Sequence, residues 1–332
     1  MPSDQPKLSV LLSAFNAELF IEEAIQSILA QSFSEFELLI ADDGSSDRTR
    51  ERIDSFSDSR IVRLHNDRNL GKSATINKLA MHAKGEYLTI HDADDISLPR
   101  RFDKQISWLE KDPNHGMVGV CFEKITQEGH FIGQQMMPAT DEAIRSVIFQ
   151  KSAFHGPTVI FRKVLLQKGE PVLRTFFNDY NEDCDLNLRL IQRAQGSNLP
   201  EVLYKYRILP GSLSKQLTPE KRRMYKLLSW LAQQRAEFGK DVLMNGKEED
   251  ARVYLDTLTK PYREDPGRIH RENAALQLYH GFHISAIKNC RFAVTAGPLS
   301  AKNWMTLQYC LRVVILRTAK QIVSGEKYQP YE

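Results

Sequence analysis

Short apolar runs alternate with helical periods over roughly the first 90 residues, and this alternation constrains the fold more than any other feature. The runs that predict strands are Leu8–Leu12, Phe36–Ala41, Arg60–His65 and Glu86–Ile90. Helical spacing predicts helices over 18–30, 48–56 and 73–83. A β-α-β-α-β-α-β order favours an α/β fold, in which helices flank a mostly parallel sheet with right-handed crossovers.

Polar residues follow each predicted strand. These segments are Ala14–Asn16, Asp42–Asp43, Asn69–Lys72 and Asp92–Asp95. Ligands of parallel α/β sheets bind outside the carboxyl ends of the strands, so we expect the four segments to meet at one site. The dinucleotide pattern GxGxxG is missing after the first strand, and Gly71-Lys72-Ser73 carries only the last three letters of a P-loop.

The segment His91–Asp95 places three carboxylates within four residues. Like charges this close raise one another's pKa and are costly unless a cation joins them. Oxygen ligands alone suit Mg²⁺ or Mn²⁺, and such a cation usually completes its coordination shell with substrate phosphates. Taken by itself, the segment is equally compatible with a solvated acidic loop.

Composition excludes several other classes. The 332 residues carry a net charge of +3, too small to indicate nucleic-acid binding. The four cysteines are scattered without a CxxC pair, which favours reduced thiols over a zinc or redox motif. Residues 1–7 are polar, and no run of about 18 apolar residues occurs. We therefore expect a cytoplasmic protein, with any membrane contact peripheral and at the inner face.

Several motifs, taken in order, resemble family 2 nucleotide-sugar glycosyltransferases of the GT-A (Rossmann-like) fold. The resemblance covers roughly residues 7–215 and depends on the ordered set, because each motif alone is modest evidence. The matching segments are Ser9–Asn16, Asp42–Thr49 (DDGSxDxT), Asn69–Gly71, Ala83–Tyr87, Asp92–Asp95 (DxD), Arg100–Gln105 and Glu182–Asp183 with Asp185–Leu190.

The resemblance implies where a nucleotide-sugar donor would bind. Asp42 and Asp43 would hold the base, Asp92 would lie near the ribose, and Asp94 would bind Mn²⁺ or Mg²⁺ bridging the diphosphate. Lys72 is a further donor candidate, although a solvated loop lysine is the simpler interpretation. The full set of donor candidates is Ala14, Phe15, Asp42, Asp43, Asn69, Lys72, Asp92, Ala93 and Arg207.

The resemblance also implies a general base. Asp183 would deprotonate the acceptor hydroxyl, so that the anomeric carbon is attacked in line and inverted. A metal would stabilise the leaving diphosphate as a Lewis acid. Glu182 and His155 are candidates for acceptor binding. The alternatives are an acidic pair complementing a helix dipole at 182–183 and a structural turn histidine at 155.

The segment Tyr204–Ser214 resembles the family's segment that closes over the diphosphate, but Leu209 stands where a histidine is common. That histidine can bind the metal, so its absence removes one expected ligand. Arg207, Ser212, Ser214 and Lys215 remain as predicted phosphate contacts.

From Pro219 onward the pattern becomes helical, which predicts a GT-A domain at 1–218 and a helical region at 219–332. Residues 274–293 resemble one tetratricopeptide-type hairpin, too little to indicate a repeat array. The last predicted helix, about 302–323, carries an apolar stripe that includes Leu307, Leu311 and Val314. Core packing is the expected role of this stripe; contact with a membrane surface or partner is the alternative.

The predicted activity is inverting, metal-dependent transfer of a hexosyl or N-acetylhexosaminyl group. The donor would be a nucleotide-diphosphate sugar, with a UDP-sugar expected, and the acceptor a hydroxyl of a glycan, polysaccharide or lipid-linked sugar. One alternative is a nucleotide-sugar-binding protein without activity. Another is a nucleotidyltransferase, but the glycine-rich basic loop usual after its first strand is missing.

Overall fold

The computed structural model of the chain describes residues 5–177, 181–209, 219–279 and 283–324. The chain divides into two compact units, residues 1–216 with 228–246 and residues 217–227 with 247–332. The predicted boundary at 218/219 would place 228–246 in the second region, and it stays a prediction.

The described residues of the first unit contain the strands β1 (Leu8–Ala14), β2 (Phe36–Asp42), β3 (Ile61–His65), β4 (Tyr87–Asp92), β5 (Ile96–Ser97), β6 (His115–Ile125), β7 (Phe131–Gln135), β8 (Ile160–Arg162) and β9 (Gln195–Arg207). They form one sheet with the order β3-β2-β1-β4-β8-β6-β9-β5, and β7 pairs with β6. β1–β4, β6 and β9 run in one direction, whereas β5, β7 and β8 run in the other. The mostly parallel α/β sheet predicted from the sequence is confirmed.

Helices cover the sheet because its central strands have no polar face. Every residue of β2 is buried, and β1 is buried except at Ser13. The helices of this part are α1 (Ile21–Leu29), α2 (Thr49–Asp54), α3 (Lys72–Ala80), α4 (Arg101–Glu110), α5 (Asp141–Val147) and α6 (Glu182–Ile191). In α1, Ile21, Ile25 and Ile28 repeat at helical spacing and join the core of the sheet.

The C-terminal region is helical, as predicted. Its helices are α7 (Pro219–Phe238), α8 (Glu248–Glu264), α9 (Gly267–Tyr279), α10 (His283–Ala296) and α11 (Ala301–Ser324). A small core joins Ala274 of α9, Cys290 of α10 and Cys310 of α11. Leu307 and Val314 pack against this core, but Leu311 of the predicted stripe is 39% exposed. None of the described helices has the length and apolarity needed to cross a membrane.

A cluster of buried ion pairs around Asp185 holds α6 in position. Asp185 of α6 lies 2.9 Å from Arg189 and 3.5 Å from Arg174, and all three side chains are buried. Arg189 also pairs with Glu170 at 2.8 Å, and Arg174 pairs with Asp241 at 2.9 Å. A buried charge is costly without a partner, so these pairs determine where α6 can lie.

The charge of Glu170 is expected to stabilise this cluster. Burial would raise the pKa of Glu170, but hydrogen bonds from Arg193 and the charge of Arg189 lower it from 4.5 to about 2. A lowered pKa contributes stability above pH 4.5 that is lost as the pH falls towards 2. Glu170→Gln should therefore reduce the free energy of unfolding by roughly 3 kcal/mol at neutral pH.

Chemical denaturation at a series of pH values measures this effect. The difference between wild type and Glu170→Gln should shrink as the pH falls through that range. The matched control is Glu142→Gln, at an exposed position of α5, which should change stability little. A difference that stays constant with pH would contradict the assignment.

Candidate active site

The parallel register brings the predicted segments to one edge of the sheet. Ala14 at the end of β1 pairs with Asp42 at the end of β2, and Ser13 pairs with Asp92 at the end of β4. Asp42 also pairs with His65, the last residue of β3. The loops that follow these strands therefore start side by side.

Asp43 connects the loop after β2 to the loop between β3 and α3. Its carboxylate is buried and accepts hydrogen bonds from the backbone N–H groups of Leu70 and Gly71, both at 3.0 Å. It also accepts hydrogen bonds from the Asn66 amide and the Thr75 hydroxyl, both at 2.8 Å. These four bonds occupy most of its acceptor capacity, so Asp43 holds the loop before α3 in place.

The turn after Asp43 needs a glycine. Gly44 has a φ of +71°, and a Cβ there would lie 2.4 Å from the backbone carbon of Arg68. The loop containing Asn69 thus packs directly on this turn. The side chain of Asn69 accepts a hydrogen bond from Gly71 N at 2.8 Å, and the residue is exposed.

The carboxylates of Asp92, Asp94 and Asp95, which we call the acidic cluster, have different surroundings. Asp92 pairs with Lys72, with 2.7 Å between Oδ1 and Nζ. Asp95 is buried and accepts hydrogen bonds from the Tyr204 hydroxyl at 2.9 Å and Arg207 N at 2.8 Å. Asp94 is partly exposed, and no other side chain of the described residues donates to its carboxylate. Asp94 is therefore the carboxylate that is open to a ligand.

Asp94 fits one cation that brings further ligands with it. Burial and the neighbouring Asp92 raise the pKa of Asp94 to about 6, which marks a carboxylate lacking a compensating charge. Within the described ranges, no three His, Cys, Asp or Glu side chains are arranged to hold a metal alone. Mg²⁺ and Mn²⁺ commonly take only one or two carboxylates when phosphates and water fill the other positions.

Lys72, the first residue of α3, joins the acidic cluster to α6. Its Nζ lies 3.7 Å from Glu182 Oε1 as well as 2.7 Å from Asp92. Burial would lower the pKa of Lys72, but the charges of Asp92 and Glu182 raise it above the usual value. Lys72 is a charged, paired side chain that links two of the predicted motifs, which excludes the interpretation as a solvated loop lysine.

Asp183 packs against the backbone of Gly156. A Cβ at Gly156 would lie 2.5 Å from Asp183 Oδ2 and 2.6 Å from its Cβ, so only glycine fits there. The other oxygen, Oδ1, accepts a hydrogen bond from Cys184 N at 2.8 Å. Asp183 itself is partly exposed at the first turn of α6.

His155 lies in an aromatic pocket. Its ring stacks on Phe122 at 4.2 Å between centroids and meets Tyr206 and Tyr204 edge-on. Burial lowers the pKa of His155 to about 4, so the ring is neutral at physiological pH. Its Nε2 is buried without a hydrogen-bond partner among the described residues. A buried polar atom of this kind calls for a partner, and a ligand hydroxyl is one group that could supply it.

The surroundings of Arg207 do not fit the prediction that it contacts a donor. Arg207 is 3% exposed, and its guanidinium donates to the carbonyls of Asp94 at 2.8 Å and Gln127 at 2.7 Å. It also pairs with Glu23 at 2.5 Å. With these donors occupied, Arg207 fixes the backbone of the acidic cluster instead of reaching a ligand.

The remaining predicted residues differ in accessibility. Ala14 is buried and its carbonyl accepts a hydrogen bond from Asp43 N, whereas Phe15 is 46% exposed at the edge of the site. Ala93 is 9% exposed. Ser212, Ser214 and Lys215, which were predicted to contact phosphate, lie outside the described residues.

Arg101 lies in the matching segment Arg100–Gln105 but was given no role from the sequence, and its side chain is fully buried. It donates to the hydroxyls of Thr89 at 3.0 Å and Ser97 at 2.9 Å, and to the Pro157 carbonyl at 2.7 Å. It therefore ties β4 and β5, the strands on either side of the acidic residues 92–95, to the turn that carries Gly156. Its place in that segment does not show that the side chain is buried, because an arginine before an apolar helix can equally be exposed.

Comparisons with known proteins agree with this geometry. A family model described as "Glycosyl transferase family 2" matches residues 9–169. The Bacillus subtilis protein "Putative glycosyltransferase EpsE" is 34% identical over 209 residues, which cover 61% of this chain and 73% of that protein. The Escherichia coli protein "UDP-Glc:alpha-D-GlcNAc-diphosphoundecaprenol beta-1,3-glucosyltransferase WfgD" is 28% identical over 227 residues, covering 68% of this chain and 86% of that protein.

Solved structures share the fold. S. aureus TarS 1-349 in complex with UDP superposes with a TM-score of 0.57 at 18% identity, covering 97% of this chain and 93% of that one. The mannosyltransferase PcManGT from Pyrobaculum calidifontis, in complex with GDP-Man and Mn²⁺, gives 0.53 at 19% identity, covering 95% and 88%. At these identities the likeness establishes the architecture alone.

The contact between Gly156 and Asp183 is testable by substitution. Gly156→Ala should displace the Asp183 side chain in a crystal structure and reduce stability by about 1–3 kcal/mol, because the new methyl overlaps the carboxyl group. Gly133→Ala in β7 is the matched control, since nothing lies within 4 Å of a Cβ there. An unmoved Asp183 in the Gly156→Ala structure would show that the packing is looser than described.

Proposed function

This chain belongs to glycosyltransferase family 2, and we propose that it is a metal-dependent, inverting enzyme with a UDP-sugar as donor. The sugar would pass to a hydroxyl of a glycan, polysaccharide or lipid-linked acceptor. The observation that supports this proposal is the carboxylate of Asp94, to which no described side chain donates a hydrogen bond. Asp94 follows Asp92, which pairs with Lys72 and lies in register with the end of β1.

Asp94 would hold Mn²⁺ or Mg²⁺ together with the donor diphosphate. The bound cation supplies Lewis-acid stabilisation of the charge that develops on the leaving nucleoside diphosphate. Arg207 contributes indirectly, because its bond to the Asp94 carbonyl fixes the main chain from which the carboxylate projects. The Mn²⁺ in the PcManGT complex supports a divalent cation for this fold.

Lys72 would set the charge of the donor side of the site. By pairing with Asp92 and Glu182 it offsets two of the carboxylates that a diphosphate must approach. A neutral residue there would leave these carboxylates to repel the donor. Lys72 therefore acts by neutralising the carboxylates beside it. Asp43 acts by holding Leu70 and Gly71, the residues that immediately precede Lys72.

Asp183 would be the general base for the acceptor hydroxyl. One of its oxygens is fixed by Cys184 N, and the close contact with Gly156 sets the direction of the side chain. An acceptor alcohol is a weak nucleophile until a positioned carboxylate takes its proton. His155 is neutral and has an unsatisfied Nε2, so it would bind an acceptor or sugar hydroxyl and not serve as a cation.

The printed descriptions of similar proteins support the substrate classes. WfgD is described as using UDP-Glc and a GlcNAc-diphosphoundecaprenol acceptor, and TarS is described in complex with UDP. We infer a UDP-sugar donor and a lipid-linked or glycan acceptor from these descriptions. A panel of nucleotide sugars, assayed for thermal stabilisation with Mn²⁺, would identify the donor.

Two substitutions separate the donor side from the acceptor side. Asp183→Asn should reduce the rate of transfer by about 10²–10⁴-fold while donor binding persists, because only the base is lost. Asp94→Asn should abolish the Mn²⁺-dependent thermal stabilisation by the donor. The control is Asp67→Asn, at an exposed loop position before α3, and it should leave both readouts unchanged.

Outcomes against these assignments are equally specific. Full transfer activity of Asp183→Asn would remove Asp183 as the base. If a chelator does not change donor binding by the wild type, the proposed metal dependence of donor binding is wrong. Donor binding by the wild type without transfer to any acceptor, and without hydrolysis, would favour the non-catalytic alternative.

A further inference from the structure

The C-terminal stretch 273–325 contains six Lys and Arg and no Asp or Glu. The whole chain has a net charge of only +3, so the remainder has more acidic than basic residues. This separation of charge is a property of the two helices α10 and α11. We propose that the exposed face of α11, with the turn before it, docks on an anionic membrane surface.

Large apolar side chains are exposed along α11 in addition to this charge. Ile315, Met305 and Tyr309 are 65%, 66% and 64% exposed, and Leu299 in the preceding turn is 99% exposed. Among the side chains of α11 whose burial the structure describes, the large exposed apolar ones are Trp304, Met305, Tyr309, Leu311, Ile315 and Leu316. We call this set with Leu299 the apolar face. So many exposed apolar side chains on one helix mark an interaction surface.

The opposite side of α11 is already used. Asn303 and Cys310 are buried, and Leu307 and Val314 pack on the core with α9 and α10. At 100° per residue these positions lie on one side of the helix, away from Trp304, Ile315 and Leu316. The helix therefore has two apolar sides, and only one of them is satisfied within its own unit.

The composition of the apolar face selects a lipid surface. Trp304 and Tyr309 are the side chains that prefer the boundary between lipid headgroups and acyl chains. Lys302 and Arg312 are exposed on the same helix, where they can reach anionic headgroups. In the proposed contact, α11 would lie in the plane of the membrane with its apolar side chains at the headgroup boundary.

A second copy of the chain fits this face less well. A two-fold dimer through α11 would place the same basic, acid-free surface on both sides of the interface. The like charges would then face each other without partners, which disfavours close association. Anionic lipid supplies the missing negative charge together with the apolar phase.

Sedimentation of the full chain with vesicles tests the proposal. Binding should be strong on vesicles of phosphatidylglycerol mixed with phosphatidylcholine, weak on phosphatidylcholine alone, and reduced by salt. Lys302→Glu/Arg312→Glu should weaken binding by at least about tenfold, since each basic residue contributes measurably to attraction by anionic lipid. Lys84→Glu/Lys168→Glu is the matched control, because both lysines are exposed outside this region.

The apolar contribution has its own variant. Ile315→Ser/Leu316→Ser should also weaken binding to anionic vesicles, and it should preserve the fold because both side chains are exposed. Brominated lipids should quench tryptophan fluorescence in the wild type, and Trp304→Phe should lose that quenching. Vesicle binding needs no donor or acceptor, so it can fail without affecting the proposed transferase activity.

Three results would overturn the proposal. One is equal binding to neutral and anionic vesicles. Another is binding that both double variants leave unchanged. The third is concentration-dependent self-association in sedimentation velocity that Ile315→Ser/Leu316→Ser abolishes, with no vesicle binding, which would assign the face to a second copy of the chain.

Discussion

The buried carboxylate of Asp95 is the interaction on which the site depends. It accepts hydrogen bonds from the Tyr204 hydroxyl and the backbone N–H of Arg207, and so joins β9 to the loop at the end of β4. Burial and the charges of Asp94 and Asp92 raise its pKa well above the usual value, so the arrangement is costly to maintain. This energetic cost arises at Asp95, which is buried and has no proposed contact with a ligand. Its neighbour Asp94 can then stay accessible on a rigid main chain.

Electrostatics divides the site into a compensated and an uncompensated part. Lys72 neutralises Asp92 and Glu182, two residues that come from β4 and α6. Asp94 and Asp183 have carboxylate oxygens that accept no side-chain hydrogen bond from the described residues, and they are the two carboxylates with proposed chemical roles. The buried ionic cluster around Asp185 supports this division from behind, because it holds α6 without using its first two residues. The stability of α6 and the chemistry proposed for Asp183 thus depend on different residues of one helix.

The sequence predicted the sheet well because its signal is local. Unbroken apolar strands separated by helical periods determine a parallel α/β order, and β1 to β4 lie within a few residues of their predicted bounds. The positions of the acidic segments also followed, since strand ends meet at one edge. The sequence does not predict which partners the charged side chains contact in the folded protein. Nothing in the spacing shows that Arg207 turns inward to the Asp94 carbonyl or that Arg101 is buried, because these contacts join segments far apart in the chain.

The contact between Gly156 and Asp183 has a consequence for selectivity. The main chain of the 3-10 turn at Gly156–Thr158 covers one flank of the carboxylate, and the first turn of α6 covers another. An incoming alcohol can therefore reach the free oxygen only from the remaining open side. The choice among the hydroxyl groups of a sugar would then depend on which of them can be turned toward that opening, and loops around it could change regioselectivity without altering the base.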